Sequence, residues 1–203
     1  MIGVLNGLYA ITRPSSTLVA DVAAALRGGA RVVQYRDKSY DAERRLFEAR
    51  QLKTLCAASE VTFIVNDDLM LAQTVHADGV HIGRNDRSIA DARAVLGPRA
   101  VIGVSCYDEI ERASAAAKAG ADYLAFGSFF PSPTKPAAPR ATLELLAQAS
   151  DEFELPLCAV GGVTPENGGP LVRGGASMLA AITGVFDSPD IEAAAAAYAR
   201  LFR

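Results

Sequence analysis

Tryptophan is absent from the 203 residues of this chain, histidine occurs twice and cysteine only three times. The two histidines show neither zinc-type spacing nor a Ser-His-Asp arrangement, which argues against a zinc enzyme or a serine hydrolase. Cys56, Cys106 and Cys158 are odd in number and far apart, without metal-type spacing. Together with the missing signal peptide, they predict a reducing, cytoplasmic location. A cysteine nucleophile has little support, because neither histidine has an evident pairing with one.

Neither sign of charge dominates, and long apolar runs are also missing. The 20 basic and 23 acidic residues give a net charge of −3, which argues against nucleic-acid or membrane-surface partners. No apolar run approaches the roughly 18 residues that cross a bilayer. Positive charge for an anionic ligand must therefore be concentrated locally. The length and the hydrophobic content of 50% predict one domain over residues 1–203.

Short β-prone runs alternate with helical segments from one end of the chain to the other. Eight candidate strands begin near Leu8, Ala30, Val61, Gly79, Val101, Asp122, Pro156 and Ser177. Helices are predicted over Asp41–Ala58, Ile89–Leu96, Glu109–Ala119, Ala141–Ala149 and Ile191–Phe202, with caps at Asp41, Ser88 and Thr164. Eight largely hydrophobic strands alternating with helices predict an α/β protein with a (β/α)8 TIM barrel rather than a doubly wound open sheet.

Three polar residues at alternate positions end the second predicted strand. Because a strand has a period of two, Gln34, Arg36 and Lys38 project from one face. Two cations and an amide donor suit a multiply charged anion such as a diphosphate. A solvated edge strand is the alternative for these three residues alone. Polar residues follow most other strands too, and strand ends of a barrel share one rim, so a common site is favoured.

Candidate ligand-binding residues also follow other predicted strands. Asp67 and Asp86 are a candidate Mg²⁺ site, because Mg²⁺ typically takes one or two carboxylates with phosphate oxygens and water. The alternative is that Asp67 caps the third helix, whereas Asp68 is expected to face that helix and solvent. Gly161-Gly162 and Ile182-Thr183 follow the seventh and eighth strands, where barrels often bind phosphate.

The loop after the sixth strand carries four prolines between positions 131 and 139. They restrict the backbone around Lys135 and its hydroxyl neighbours Ser132 and Thr134, which favours a binding role over an exposed lysine on a lid. His81 is placed at the barrel mouth, where we favour a structural or supporting role over that of a general base.

The chain resembles the thiamine phosphate synthase family over essentially its whole length. The segments that carry the likeness are, in order, Leu-Tyr-Ala-Ile-Thr, Gln-Tyr-Arg-Asp-Lys, Val-Asn-Asp-Asp, Ala-Asp-Gly-Val-His-Ile-Gly-Arg-Asn-Asp, Gly-Val-Ser, Phe-Phe-Pro-Ser-Pro-Thr-Lys and Val-Gly-Gly-Val-Thr-Pro-Glu-Asn. The resemblance implies a Mg²⁺-dependent transferase. Such an enzyme joins the methylene carbon of 4-amino-5-hydroxymethyl-2-methylpyrimidine diphosphate to the nitrogen of a thiazole phosphate, giving thiamine phosphate and pyrophosphate.

The same resemblance implies a role for individual residues. It assigns the pyrimidine diphosphate to Gln34, Tyr35, Arg36, Asp37, Lys38, Asn66, Ser105 and Lys135. It assigns the thiazole phosphate to Ser132, Pro133, Thr134, Gly162, Ile182 and Thr183. Asp67 and Asp86 are the implied metal ligands, and Arg36, Lys38, Ser105 and Lys135 the implied catalytic residues. The implied partners are these two small molecules, and the sequence leaves a homo-oligomer open.

The chain departs from the common family pattern in small ways, and three rival functions have to be weighed. Ser132 stands where many relatives carry threonine, Thr183 stands in place of serine, and Arg84-Asn85 replaces a more usual Gln-Glu, which adds positive charge near Asp86. A thiazole tautomerase on the same barrel would need no metal–diphosphate site. A non-catalytic thiazole or thiamine phosphate binding protein would bind ligand without forming product. A generic phospho-sugar barrel enzyme lacks support, since no paired proton-transfer acids are evident.

Overall fold

Strands and helices alternate throughout the computed structural model, which describes residues 5–131 and 139–203. The strands are β1 (Gly7–Ile11), β2 (Ala30–Tyr35), β3 (Thr62–Asn66), β4 (Gly79–Ile82), β5 (Val101–Tyr107), β6 (Tyr123–Phe126), β7 (Leu157–Val160) and β8 (Met178–Ala181). The helices are α1 (Leu18–Arg27), α2 (Ala42–Ala58), α3 (Leu69–Thr74), α4 (Ile89–Leu96), α5 (Ile110–Lys118), α6 (Leu143–Glu152), α7 (Pro165–Arg173), α8 (Thr183–Phe186) and α9 (Ile191–Ala199).

The eight strands form a closed barrel in which each strand pairs in parallel with its neighbours in chain order, and β8 closes on β1. The (β/α)8 barrel predicted from the sequence is confirmed. Because every connection runs from the carboxyl end of one strand to the amino end of the next, all carboxyl ends meet at one rim. Within the described part of the chain, no helix has the length and apolarity to span a membrane.

Side chains alternate between the barrel interior and a second layer between strands and helices. Tyr9 of β1 packs inside the barrel with Val32 of β2, whereas Leu8 and Tyr35 belong to the outer core. The period of two therefore directs Gln34, two residues after Val32, toward the barrel axis. This alternation decides which polar residues of β2 reach the barrel mouth.

Helix starts follow local capping chemistry. The predicted caps Asp41 and Ser88 are confirmed, because each side chain accepts a hydrogen bond from the backbone N–H three residues later, at 3.0 and 3.1 Å. The helix predicted over Ala141–Ala149 is displaced toward the C-terminus. Thr142 accepts from the N–H of Leu145 at 3.2 Å and is the N-cap, so α6 begins one residue after it.

Gly103 makes room for an aromatic ring inside the barrel. It lies opposite Tyr123 in the pairing of β5 with β6, and a Cβ at position 103 would overlap the Tyr123 ring. Tyr123 is fully buried, so the ring has no space into which it could retreat. The glycine is therefore a packing requirement of the tyrosine across from it.

Gly103→Ala is expected to lower the free energy of unfolding by about 1–3 kcal/mol, the usual cost of overpacking a dense core. Urea titration of the purified protein measures the change. In a Tyr123→Leu background the same substitution should cost less than about 0.5 kcal/mol, because the obstructing ring is gone. An equal cost in both backgrounds would show that the ring is not what excludes a side chain at position 103.

Candidate active site

A cavity of about 430 Å³ opens at the carboxyl ends of the barrel strands. Its wall is built from strand ends and the loops that follow them, the part of a TIM barrel where catalytic groups are found. The structure brings together there seven residues predicted from the sequence: Gln34, Arg36, Asn66, Ser105, Gly162, Ile182 and Thr183.

The end of β2 contributes the first of these side chains. Gln34 points inward and is only 3% exposed, and Arg36 follows it on the same side of the chain. The backbone N–H of Arg36 donates to Thr12 Oγ1 at 2.9 Å, which ties the end of β2 to that of β1. Among residues 5–131 and 139–203, no carboxylate forms an ion pair with Arg36. Its positive charge thus remains available to an anion in the cavity.

Tyr35 and Asp37, also predicted to bind substrate, project away from the cavity. The Tyr35 hydroxyl donates to Glu48 at 2.7 Å, and burial together with this acceptor raises the pKa of the phenol. Asp37 pairs with Arg44 at 2.7 Å. Burial alone would raise the pKa of Asp37, but hydrogen bonds from Ser39 and the charge of Arg44 bring it below its ordinary value. Both side chains anchor β2 to α2, so this placement does not support side-chain contact with substrate.

A cluster of charged residues lies at the rim, joined to the cavity through Asn66. The Asn66 side-chain amide donates to Asp67 Oδ2 at 2.7 Å, and Lys38 forms an ion pair with the same oxygen. Asp86 accepts from the N–H of Gly83 at 2.6 Å. Burial raises the pKa of Asp86, and a hydrogen bond and the negative charge of Asp67 raise it further. The side chains of Asp67 and Asp86 are therefore neighbours at the rim.

Asp67 occupies an uncommon backbone conformation. Its φ of 62° lies in the left-handed region, and its N–H donates to the carbonyl of His81 at 2.9 Å. The neighbouring Asp68, not Asp67, caps α3 by accepting from Leu71 at 2.9 Å. The alternative interpretation, that Asp67 caps α3, is therefore wrong. Its carboxylate is directed to the rim instead.

The rim cluster has the donor types that Mg²⁺ prefers. Asp67 and Asp86 offer carboxylate oxygens side by side, and an adjacent cavity can admit phosphate oxygens and water to complete an octahedral shell. No group of three or more His, Cys, Asp or Glu suited to a metal occurs in the described residues. This is compatible with Mg²⁺, which needs fewer protein ligands than zinc.

The turn that carries Asp86 is held by Tyr107. The Arg84 N–H donates to the Tyr107 hydroxyl at 3.3 Å, and the Arg84 guanidinium lies 5.0 Å from the centroid of its ring. Arg84 also pairs with Glu109 at 2.7 Å. The positive charge that distinguishes this chain from the common family pattern is therefore balanced by a neighbouring carboxylate.

The floor of the cavity is a buried polar network that the sequence did not reveal. The amide of Gln34 donates to the Tyr9 hydroxyl at 2.7 Å, and the hydroxyls of Tyr9 and Tyr123 are 2.7 Å apart. His81 bonds Tyr123 through Nδ1 and Ser105 through Nε2, both at 2.8 Å. These bonds give the His81 ring two structural partners, and the supporting role expected for His81 stays a prediction.

The opposite wall of the cavity is formed by backbone. Gly161 and Gly162 have φ of 96° and 63°, and a Cβ on Gly162 would overlap the backbone of the preceding loop at Phe130 and Pro131. Asn167 donates to the carbonyl of Gly162 at 3.0 Å and fixes this turn. On the same side of the cavity, after the neighbouring strand β8, Ile182 and Thr183 begin α8. Unpaired N–H groups of a first helical turn suit a phosphate.

Four predicted residues, Ser132, Pro133, Thr134 and Lys135, lie outside the described residues. The segments that flank them are described: Ser128 and Pro139 both line the cavity, and the N–H of Ser128 donates to the carbonyl of Pro139 at 2.9 Å.

The three cysteines are free thiols in buried positions. Burial raises the pKa of Cys56 and of Cys106 to about 12 and raises that of Cys158 as well. A thiol is nucleophilic only as the thiolate, so these surroundings disfavour cysteine chemistry, in agreement with the prediction.

Tyr9, Tyr107 and Tyr123 are the site residues that sequence reasoning missed. The sequence did contain a clue for Tyr9. Tyr9 and Ile11 are two positions apart on β1, so both point into the barrel. A phenol buried there needs a hydrogen-bond partner. Tyr107 gave no such signal, because its position depends on a φ of 59° and a register shift at the end of β5.

Comparison with known proteins places this geometry in a family. The sequence model described as thiamine monophosphate synthase matches residues 8–185. The chain belongs to this family. Curated relatives named thiamine-phosphate synthase include one from Thiobacillus denitrificans, 53% identical over 97% of this chain and 95% of its own length. Another, from Aromatoleum aromaticum, is 52% identical over 98% and 97%.

A solved structure supports the same membership of the thiamine monophosphate synthase family. Thiamine phosphate pyrophosphorylase from Pyrococcus furiosus superposes with a TM-score of 0.89 at 31% identity, covering 98% of this chain and 96% of that one. The family resemblance stated from the sequence motifs is therefore confirmed, and the barrel extends over nearly the whole of both chains.

Proposed function

We propose that this chain condenses 4-amino-5-hydroxymethyl-2-methylpyrimidine diphosphate with a thiazole phosphate, producing thiamine phosphate and pyrophosphate. The chain belongs to the thiamine monophosphate synthase family, which confirms the expectation that it is an enzyme that transfers an alkyl group. Within the site, one observation carries the assignment. Arg36, which has no carboxylate partner among residues 5–131 and 139–203, lines the cavity together with Asn66. Asn66 in turn bonds Asp67 at the rim, where Asp67 neighbours Asp86.

The pyrimidine diphosphate is proposed to lie on the side of the cavity formed by β2, β3 and β5. Gln34, Asn66 and Ser105 offer amide and hydroxyl groups there, and Arg36 offers a guanidinium. Lys38 is next to Asp67 at the rim. Lys135, from the loop after β6, is proposed to contribute a further cation on chemical grounds.

Asp67 and Asp86 are proposed to hold Mg²⁺, since their adjacent carboxylates fit its preference for oxygen ligands. When bound there, Mg²⁺ supplies positive charge to diphosphate oxygens. The thiazole phosphate is proposed to lie against Gly162 and the first residues of α8, Ile182 and Thr183. Hydroxyls of the 132–134 segment are proposed to complete that subsite.

The reaction breaks the bond between the pyrimidine methylene carbon and a diphosphate oxygen, and the electron pair leaves with the diphosphate. The thiazole nitrogen supplies the pair for the new carbon–nitrogen bond, so no proton has to move in this step. The protein must therefore stabilise growing negative charge rather than transfer protons. Arg36, Lys38 and Lys135 are proposed to do so, because cations stabilise the negative charge that develops on the departing diphosphate.

The cavity wall strengthens these interactions. Ile11, Ala125 and Val160 line it between the polar residues. Apolar groups at the reacting carbon exclude water, which protects a positively charged pyrimidine from hydrolysis and lowers the local dielectric. Binding of both substrates in one enclosed space also gives the thiazole nitrogen the proximity that the reaction requires.

The proposal is tested by incubating the purified protein with both phosphorylated substrates and Mg²⁺. Thiamine phosphate and pyrophosphate should form in equal amounts, formation should stop with excess chelator, and added Mg²⁺ should restore it. A thiazole tautomerase would rearrange the thiazole alone and release no pyrophosphate. A binding protein would give heat in calorimetry but no product. Either result would contradict the proposed function.

We further infer one domain over residues 1–203 and a cytoplasmic location. Three cysteines that all remain free thiols fit a reducing compartment.

A further inference from the structure

Five side chains from five different strands form one chain of hydrogen bonds beneath the cavity. The order is Gln34, Tyr9, Tyr123, His81 and Ser105, and the four links measure 2.7, 2.7, 2.8 and 2.8 Å. Tyr9 and Tyr123 are at most 1% exposed, so bulk water cannot replace a missing partner. A buried network of this kind is favourable only when each donor meets an acceptor.

The first link fixes the direction of the whole chain. The Gln34 amide nitrogen can only donate, so the Tyr9 oxygen accepts from it and turns its own hydrogen toward Tyr123. Tyr123 in turn donates to Nδ1 of His81, which must carry a lone pair. The hydrogen of the neutral imidazole is then on Nε2, and it is donated to Ser105 Oγ. Each of the two tyrosine hydroxyls accepts one bond and donates one, and Ser105 accepts the last bond.

The rings are held firmly enough to maintain this order. Tyr123 meets Tyr9 edge-on with centroids 5.9 Å apart, and it stacks on His81 at 5.6 Å. Gly103 leaves the space that the Tyr123 ring fills. Burial raises the pKa of Tyr9 and of Tyr123, so both phenols keep their hydrogens. Ser105 stands at the end of the chain and lines the cavity.

We propose that Tyr9, Tyr123 and His81 are positioning residues that make Ser105 a hydrogen-bond donor toward the cavity. Because Ser105 Oγ already accepts from His81, its own hydrogen is directed to the ligand. A reversed chain would have Ser105 donate to His81 and present only lone pairs. This inference rests on the proposed function in one respect: a diphosphate has only acceptor oxygens there, so a donor attracts it and a lone pair repels it.

The direction can be measured in the ligand-free protein, independently of activity. Long-range ¹H–¹⁵N correlation spectra at pH about 9, where an imidazole is neutral, distinguish the two His81 tautomers. A His76→Asn background leaves one histidine, and asparagine tolerates the φ of 52° at that position. We expect the hydrogen on Nε2. A hydrogen on Nδ1 in this otherwise native protein would overturn the proposal.

Gln34→Glu in the same background tests the coupling along the chain. A carboxylate only accepts, so Tyr9, Tyr123 and His81 should reverse and the His81 hydrogen should move to Nδ1. Adding Tyr9→Phe cuts the chain, so the His81 tautomer should then be the same with glutamine or glutamate at position 34. Tyr198→Phe is the matched control, because this buried hydroxyl donates to Val163 at 2.8 Å outside the network. A tautomer unaffected by Gln34→Glu would refute the directed chain.

Kinetics supply the second readout. Tyr123 is fully buried and does not line the cavity, so Tyr123→Phe can act on the substrate only through its bonded neighbours. These are His81 with Ser105 on one side and Tyr9 with Gln34 on the other, and a Ser105→Ala background separates the two. We expect about a tenfold loss of kcat, the effect of one misoriented donor. In a Ser105→Ala background the same change should have almost no further effect. An equal loss in both backgrounds would show that Tyr123 is merely structural. If the wild-type protein made no thiamine phosphate, the spectra would still decide the direction of the chain.

Discussion

Asp67→Asn is expected to lower kcat/KM for thiamine phosphate formation by about a hundredfold while the protein remains folded. The substitution removes the negative charge that pairs with Lys38 and lies against Asp86. A charge-assisted interaction of this kind is worth on the order of 1.5–3 kcal/mol, which corresponds to roughly 10- to 150-fold in rate. Asparagine is preferred to alanine because it tolerates the left-handed φ of 62° at this position.

The next residue provides the matched control for Asp67→Asn. Asp68 caps α3 and pairs with Arg45 at 2.8 Å, and asparagine is also a good cap. Asp68→Asn should therefore retain activity within about threefold and lose at most about 1 kcal/mol of stability. Titration of both variants with Mn²⁺ by electron paramagnetic resonance should show weakened binding for Asp67→Asn alone. Equal activity of the two variants would show that Asp67 is not part of the active site.

Arg36→Gln is expected to have the second large effect, a loss of roughly 10- to 150-fold in kcat/KM. In the described part of the chain Arg36 has no carboxylate partner, so the substitution strands no buried charge and mainly removes a cation from the cavity. Arg36→Lys should recover only part of the activity, since a lysine cannot reproduce the planar, two-pronged donor geometry. Steady-state kinetics with the pyrimidine diphosphate as the varied substrate measure the change.

Arg31 is the control for Arg36, because it is an exposed arginine at the beginning of the same strand. Five residues of extended chain separate the two side chains by about 16 Å, so Arg31 lies toward the opposite end of the barrel. Arg31→Gln should leave kcat/KM essentially unchanged. If both substitutions reduced activity equally, the effect would reflect net charge rather than a placed cation.

The fold was predictable because its signals are local. Each strand is a short β-prone run, and turn residues such as Gly28-Gly29 and Gly97-Pro98 separate it from the preceding helix. All eight observed strand starts lie within one residue of the predicted ones. The main displacement, at α6, arises from the Thr142 cap. Such a cap is visible in the sequence but is easily assigned to the wrong residue.

The site was predictable only in part, for reasons that β2 illustrates. Alternation along the strand correctly directs Gln34 and Arg36 to the cavity, whereas Tyr35 and Asp37 were included only because the whole segment resembles the family. The same alternation turns these two side chains toward α2. The alternation of side chains along β2 thus predicted their direction better than the family motif did.

The network under the cavity could not be predicted, because its contacts join distant parts of the chain. Tyr9 and Tyr123 are 114 positions apart, and their meeting depends on barrel closure and on the missing side chain at Gly103. No local pattern carries that information. A hydrogen-bond chain across a barrel becomes visible only once the register of all the strands is known.

The central claim is that one cavity at the barrel mouth binds the diphosphate between Arg36 and the Asp67–Asp86 pair. A crystal structure of the protein with thiamine phosphate, pyrophosphate and Mg²⁺ tests it most directly. We expect pyrophosphate beside Arg36, Mg²⁺ on both aspartates and the Ser105 hydroxyl within hydrogen-bond distance of the ligand. Pyrophosphate bound elsewhere, with Arg36 and both aspartates free of ligand, would contradict the account.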